Sequence, residues 1–270
     1  MTPSLTAIVI ARNEESMIAN CLETLRWCDE IIVINNDSSD ATVSIAHRSG
    51  ARVITLSGGF AELRTEGLKR AKTDWLLYID ADERVTPALA AEIRETIGMP
   101  AHPAYAIGRT NVLYGQHMQH GGWNQDQVVR LFNRATLQGW DGEIHEHAVV
   151  TGSTGELQQS LIHFTHRDVI SGLKKTIEWT PIEATLLANS KIPPVTLWTL
   201  LRKGGMEVFR RAIREKGYKD GLAGWIEALI QGMNRMLVYI QVWELQQKPS
   251  LSEQYQHHET AIARLWKNAK

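Results

Sequence analysis

Cysteine is scarce in this chain of 270 residues: Cys21 and Cys28 stand alone, seven apart on a helical pattern. Neither a disulfide framework nor a zinc or redox spacing can be built from them. Two small buried hydrophobes in a reducing compartment are the expectation. Net charge is scarce as well. Lys and Arg total 29 against 30 Asp and Glu, a formal −1, so no global field argues for nucleic acid as a partner. The segment from Met1 to Thr6 has no basic stretch followed by an apolar one, so no secretory signal is expected and the cytoplasm is. Two glycine motifs are missing too. No G-x-G-x-x-G follows the first strand and no G-x-x-x-x-G-K-[ST] occurs, which disfavours a dinucleotide-binding fold and a P-loop. What is present, 43% hydrophobic and 22% charged residues, is ordinary for a globular protein.

The apolar segments alternate with helical ones. Leu5 to Ala11 reads as a first strand, and Ile18, Leu22 and Leu25 then recur at helical spacing. Glu30 to Ile34 is a second strand, Val43 to His47 a short helix, Arg52 to Leu56 a third strand and Glu62 to Lys72 a helix. Trp75 to Ile79 is a fourth strand, short and apolar throughout, as a strand buried on both faces must be. This order predicts an α/β fold with a parallel sheet and right-handed crossovers. In such sheets ligands collect at the carboxyl ends of the strands. Three polar clusters fall there: Arg12 to Ser16, Asn35 to Asp40, and Asp80 to Glu83.

The last cluster carries the chemistry. Strand alternation would point Asp80 and Asp82 to one side of the backbone, with Ala81 between them. Crowded carboxylates at the end of a buried strand repel each other and call for a cation, and oxygen ligands suit Mg²⁺ or Mn²⁺ shared with a ligand diphosphate. The bland alternative is an acidic loop solvated after a strand. Four linked segments then carry a resemblance: A-R-N-E-E-S, the turn after E-I-I-V-I, L-R-T-E-G-L-K-R-A, and D-W-L-L-Y-I-D-A-D-E-R. Together they resemble the family 2 glycosyltransferases of GT-A fold, in particular bacterial lipopolysaccharide-core glucosyltransferases. V-R-L-F-N-R and I-H-E extend the match to about Glu146.

The resemblance implies a mixed, mostly parallel nucleotide-diphospho-sugar transferase sheet. It implies that Ala11, Arg12, Asn13 and Glu14 line the nucleotide site, with Arg64 and Ala81 beside it. Asp82 would meet the metal and diphosphate, and Asp80 would contact the ribose or order the loop. Asn35 stands where the family usually has an Asp; an amide can still hydrogen-bond the nucleotide, and Asp37 is a substitute. Thr65 stands where Asn is usual. The implied donor is a nucleotide diphosphate sugar, uridine-linked, carrying a hexose.

Inverting transfer requires a base within reach of the acceptor hydroxyl. Glu146 is the first choice, with Asp126 and Glu143 as rivals. Arg130 is either a diphosphate or acceptor ligand or the partner of a structural carboxylate. His145 would complete the metal shell or orient Glu146. His117, His120, His145, His147, His163 and His166 invite a zinc-hydrolase reading, but none has the i, i+4 helical spacing with an intervening Glu that such sites use. Sugar hydroxyls or simple packing suit them better.

From about residue 167 the texture turns to long helices: Val169 to Asn189, Thr196 to Lys216, Gly221 to Gln247 and Ser252 to Lys267. The expected division is therefore a catalytic domain over 1–166 and a helical appendage over 167–270. Residues 202 to 219 hold seven Lys or Arg against two Glu. The segment from Gly221 is mostly apolar, yet Glu227, Gln231, Asn234 and Gln241 share one helical face, so it reads as amphipathic and not as a span. A basic helix beside a Trp-rich one suits the surface of an anionic leaflet, at the inner face of the cytoplasmic membrane. The competing reading is packing on the sheet or on a second subunit in a homo-oligomer. The expected acceptor is a lipid-linked saccharide. The rivals are transfer to a polyprenyl phosphate or soluble glycan, and a sugar-nucleotide-binding protein without catalysis.

Overall fold

The computed structural model describes residues 2–124, 126–142 and 147–268. Strand β1 (Leu5–Ala11) is buried along its whole length. Its alternate side chains divide between two cores. Leu5, Ala7, Val9 and Ala11 pack with Ile18 and Leu22 of α1 (Ile18–Glu23), while Ile8 and Ile10 pack on the opposite face. That is the period of two at work on a strand covered on both sides. β2 (Glu30–Asn35), α2 (Thr42–Arg48), β3 (Arg52–Thr55), α3 (Phe60–Arg70) and β4 (Trp75–Asp80) follow in the expected alternation. β2 and β4 flank β1 in parallel and β3 adds to β2. α3 comes close to the sheet at Gly67, where a Cβ would lie 2.8 Å from Ile8 Cγ2. Only glycine permits that approach without displacing Ile8.

Beyond β4 the sheet becomes mixed. After β5 (Glu83–Arg84), Thr86 caps α4 (Pro87–Gly98), its hydroxyl accepting from the Leu89 amide at 3.2 Å with Pro87 at the first turn. β6 (Ala104–Leu113), β7 (Gln116–His117), β8 (Gln127–Asn133), β9 (Leu137–Asp141), β10 (His147–Val150) and β11 (Thr154–Phe164) complete the strands among the described residues. The strand order is β3-β2-β1-β4-β8-β6-β11-β5, with β7 on β6 and a separate β9–β10 pair. β8 runs antiparallel to both β4 and β6, whereas β11 is parallel to β6. Cys21 is buried and Cys28 half-buried, both as free thiols, and burial pushes both thiols up.

The chain divides into two compact units, Met1–Met118 with Trp123–Arg167, and Gln119–Gly122 with Asp168–Lys270. The second is helical. Asp168 caps α5 (Val169–Asn189) by accepting from the Ser171 amide at 2.7 Å. α6 (Leu197–Phe209) does not run on to Lys216 as its sequence suggests. It widens into a π turn over Arg210–Arg214, and a 3-10 turn, Gly217–Asp220, precedes α7 (Gly221–Leu245) and α8 (Leu251–Asn268). The short segment 119–122 belongs here because the Gln119 and His120 amides donate to Asp220 Oδ2 at 3.1 and 2.8 Å.

The amphipathicity of α7 runs opposite to that of a helix lying on a surface with its polar side in water. Glu227 is 2% exposed. Gln231 donates to it at 2.8 Å, Asn234 accepts from Thr176 of α5, and Gln241 donates to Thr180 at 3.2 Å. The polar face is turned inward. No described helix is long and apolar enough to cross a membrane.

Candidate active site

The first two polar loops meet at the carboxyl ends of β1 and β2. Asn13, at φ +56°, accepts the Ser39 amide on Oδ1 at 2.8 Å, and its own amide donates to Ser38 Oγ at 2.9 Å. The Glu14 amide donates to Thr42 Oγ1 at 2.7 Å, and the Glu15 amide to Asp40 Oδ2 at 3.0 Å. Glu15 accepts the Ala41 amide in return. These bonds zip the loop after β1 to the loop after β2. Ala11 lies buried beneath them and Arg12 is exposed. Asn35 is buried, donating to Thr55 Oγ1 and accepting from the Ser38 amide, both at 3.2 Å. An amide can do both at once, whereas a carboxylate could not donate. Asp37, at φ +49°, accepts from the Ser57 hydroxyl.

The acids of D-A-D-E part company, which corrects the expectation that alternation aims Asp80 and Asp82 together. β4 ends at Asp80, and the backbone turns through Ala81 and Asp82 before β5. Strand alternation therefore stops one residue too early. Asp80 lies between two guanidiniums, with Arg64 at 3.2 Å from Oδ1 and Arg130 on Oδ2. Glu83 is fully buried; its Oε1 meets Arg130 at 3.0 Å and Arg109 at 3.6 Å, and its Oε2 accepts the Asp80 amide at 2.8 Å. Burial alone would raise the Asp80 carboxyl, but Arg130, Arg64 and Arg109 outweigh it and hold it well below the usual carboxylate range. Glu83 goes the other way, raised by burial and by the Asp80 charge against the opposing pull of Arg130. Burial disfavours the Arg130 charge, and the two carboxylates more than restore it. Arg130 thus has its described bonds to protein carboxylates, the second of the two roles its sequence offered.

Asp82 faces a different set of groups. Its carbonyl accepts the Phe164 amide at 2.8 Å, and β5 pairs with β11 so that Glu83 stands opposite His163. This clamp brings His163 Nε2 to 3.4 Å from Asp82 Oδ2. The histidine's other nitrogen, Nδ1, is 2.6 Å from Asn111 Oδ1. Asn111 Nδ2 donates to the Trp123 carbonyl at 3.0 Å and to Asp126 Oδ2 at 3.3 Å, so its Oδ1 is the acceptor side. His163 Nδ1 then carries a proton, which in the neutral form of the ring would leave Nε2 a lone pair on the Asp82 side. Nε2 and the Asp82 carboxylate oxygen thus face each other at 3.4 Å. The donor set, one carboxylate oxygen and one imidazole nitrogen with a second partner fixing the ring, fits a divalent ion.

Asp126 also takes Arg109 Nε at 3.3 Å and is partly exposed. Glu146, Glu143 and His145 lie outside the described residues. Asn111 and Arg109 are not singled out by motif reading, and His163 enters there only among the six histidines. A cavity of about 570 Å³ opens on the Arg64 side of Asp80, lined among others by Arg109, Arg130, Trp140 and His147. Its size falls within the range of small-ligand sites. Among the described residues no three His, Cys, Asp or Glu side chains gather as a metal cluster.

The sheet, with acids at the end of β4 and arginines of α3, β6 and β8 around them, is that of a nucleotide-sugar transferase. Residues 6–148 match Glycosyl transferase family 2, and the chain belongs to that family, with its GT-A fold and glycosyltransferase activity. It is 23% identical over 265 residues to the lipopolysaccharide core biosynthesis glycosyltransferase LpsC of Rhizobium meliloti, across 94% of this chain and 98% of that protein. It is 36% identical over 135 residues to the uncharacterized glycosyltransferase RT0209 of Rickettsia typhi, 48% of this chain and 46% of that one. The chain thus spans about half the length of that relative. A glucosyl-3-phosphoglycerate synthase from Mycobacterium tuberculosis, solved with Mg²⁺ and uridine diphosphate, overlaps 49% of this chain and 57% of its own at a TM-score of 0.38 and 19% identity.

Proposed function

We propose that the chain transfers a hexose, glucose in the first instance, from a uridine diphosphate sugar to a lipid-linked saccharide of the lipopolysaccharide-core kind. The transfer is metal-dependent, inverts the anomeric centre and takes place at the inner face of the cytoplasmic membrane. The observation that carries the reading is the facing pair of Asp82 Oδ2 and His163 Nε2 beside the arginine-bound Asp80. The full-length likeness to a lipopolysaccharide-core transferase supports the acceptor class.

Asp82 and His163 would hold Mg²⁺ or Mn²⁺, which when bound offsets charge on a departing diphosphate. The chain's own residues do the rest. Asn111 keeps the His163 proton on Nδ1, and Arg64 and Arg130 hold the Asp80 carboxylate at the end of β4. In an inverting displacement the acceptor hydroxyl bonds to the anomeric carbon as the bond to the diphosphate oxygen breaks. The hydroxyl proton passes to a carboxylate. Among the described residues Asp126 is a candidate for that role, oriented by Asn111 and Arg109. Glu146 remains the choice that the family resemblance favours.

A panel of nucleotide sugars, scored for Mn²⁺-dependent thermal shift and for hydrolysis, tests the donor. Uridine diphosphate glucose should give the largest response, and silence across the panel would overturn the reading. Turnover separates the bases: the variant, Glu146→Gln or Asp126→Asn, that loses turnover while binding donor identifies the base. If both keep near-normal turnover, neither is.

A further inference from the structure

We infer that the helical unit is a membrane-inserting anchor, whose α5–α7 exterior enters the acyl layer of an anionic leaflet instead of resting on its headgroups. The inference deepens the proposed reading by naming how the leaflet is held, and it rests on that reading only for which membrane is meant.

The unit buries one apolar cluster, Ala184 and Val195 with Val238, Tyr239 and Val242 of α7. Along the rest of its helix crossings the residues are small or polar. On α5 the buried positions are Gly172, Thr176, Thr180 and Ala184, four apart, and on α7 they include Gly224, Glu227, Ala228 and Gly232. α6 and α7 cross so closely that a Cβ on Gly232 would lie 2.4 Å from Val208 Cγ2, and one on Gly204 2.5 Å from Met236 Cγ. Small residues at the crossing and side-chain hydrogen bonds across it hold helices together where burial of apolar surface gives no drive. In water the large apolar side chains should occupy those crossings. Many are outside instead: Trp198 is 70% exposed, Leu222 75% and Leu201 54%, with Trp225, Leu229 and Met233 continuing along α7. An exposed apolar surface of this breadth marks an interaction site.

Three observations select lipid as the occupant. Charge is segregated along the chain: residues 168–270 hold 15 Lys and Arg against 10 Asp and Glu, a net +5, while residues 1–167 carry −6. Positive charge near an apolar face is drawn to anionic headgroups, whereas a second copy would bring +5 against +5. An apolar hollow of about 220 Å³ lies between α6 and α7, lined by Val195, Thr196, Leu197, Leu200, Ile240 and Trp243. α8 adds an exposed apolar stripe of its own, Tyr255, Ile262, Leu265 and Trp266. Such helices lie in the interface with their apolar sides among the acyl chains.

The test is flotation of the full chain with phosphatidylcholine vesicles, with and without phosphatidylglycerol, followed by a high-salt wash. Tryptophan quenching by lipids brominated along the acyl chain is read alongside. The chain should float with the anionic vesicles, stay bound through the wash and be quenched. The double variant Trp198→Glu, Leu222→Glu, both exposed, should partition at least about tenfold less, since charge is costly at that depth, while its hydrolysis of donor is unchanged. Release by salt without acyl-chain quenching would reduce the contact to surface electrostatics and overturn insertion. A lipid-independent dimer that covers the same tryptophans would assign the face to a second copy. Flotation of the natural chain that hydrolyses no donor would strike the proposed function alone.

Discussion

His163 meets Asn111 at one nitrogen and faces Asp82 at the other, and Asn111 decides which. The Asn111 amide donates to the Trp123 carbonyl and to Asp126, leaving only its oxygen for the histidine. A partner that sets the tautomer of a ligand typically changes metal affinity by roughly 10- to 100-fold when removed. Asn111→Leu should therefore weaken Mn²⁺ binding by about that factor while leaving Asp82 and His163 in place, as read by titration of free Mn²⁺ by electron paramagnetic resonance. Undiminished affinity would mean that Nε2 is not a ligand. Arg130 is different in kind, because its bonds are to Asp80 and to the fully buried Glu83. Removing one partner of a buried ionic group typically costs about 3–5 kcal/mol. Arg130→Ala should lose that much in denaturant unfolding, whereas a surface pair such as Arg26–Glu23 is worth at most about 1 kcal/mol. A loss of surface-pair size at Arg130 would show that the carboxylates find other partners.

Elements explain what could be read before the fold was known. β1 to β4 were legible because each is a short apolar run bounded by polar turns, and the polar clusters fell at their carboxyl ends as the sheet requires. β11 was not. Its sequence T-G-E-L-Q-Q-S-L-I-H-F breaks alternation at Gln158 and Gln159, where its register against β6 shifts. Its pairing to the two-residue β5 is a long-range event that no local pattern records, and the Asp82–His163 pair depends on it. The orientation of Asp80 and Asp82 was misread for a related reason, since alternation was extended past the residue where β4 ends. At the loop between β2 and α2, Asp40 supplies a titration test. Burial would raise its carboxyl, but the Thr42 hydroxyl and amide and the Glu15 amide outweigh this and lower it. A carboxyl that is lower in the folded than in the unfolded chain adds stability above its unfolded value and loses it as pH falls through the folded one. Asp40→Asn should therefore unfold at lower urea than the natural chain near neutrality. The gap should narrow as pH drops below the ordinary carboxylate value of 3.8. A gap that stays constant with pH would remove Asp40 as the source.

At the scale of the molecule, composition suggested neutrality and concealed a division: a formal −1 is the sum of an acidic sheet-bearing portion and a basic helical one. The helical texture and the shared face of Glu227, Gln231, Asn234 and Gln241 were visible in the sequence, but which way that face turns was not. Periodicity fixes which residues lie together and says nothing of whether water, lipid or another helix lies opposite. The family and its fold were legible from four motifs, and the partners of those motifs were supplied by the strands beyond them. Central to the proposed transfer is that Asp82 and His163 hold a divalent cation against a nucleotide diphosphate, and calorimetric titration of uridine diphosphate with Mn²⁺ or with chelator measures this directly. Binding that requires Mn²⁺ and weakens at least about tenfold in both Asp82→Ala and His163→Ala is the predicted result. Equal affinity in chelator, or in either variant, would contradict it.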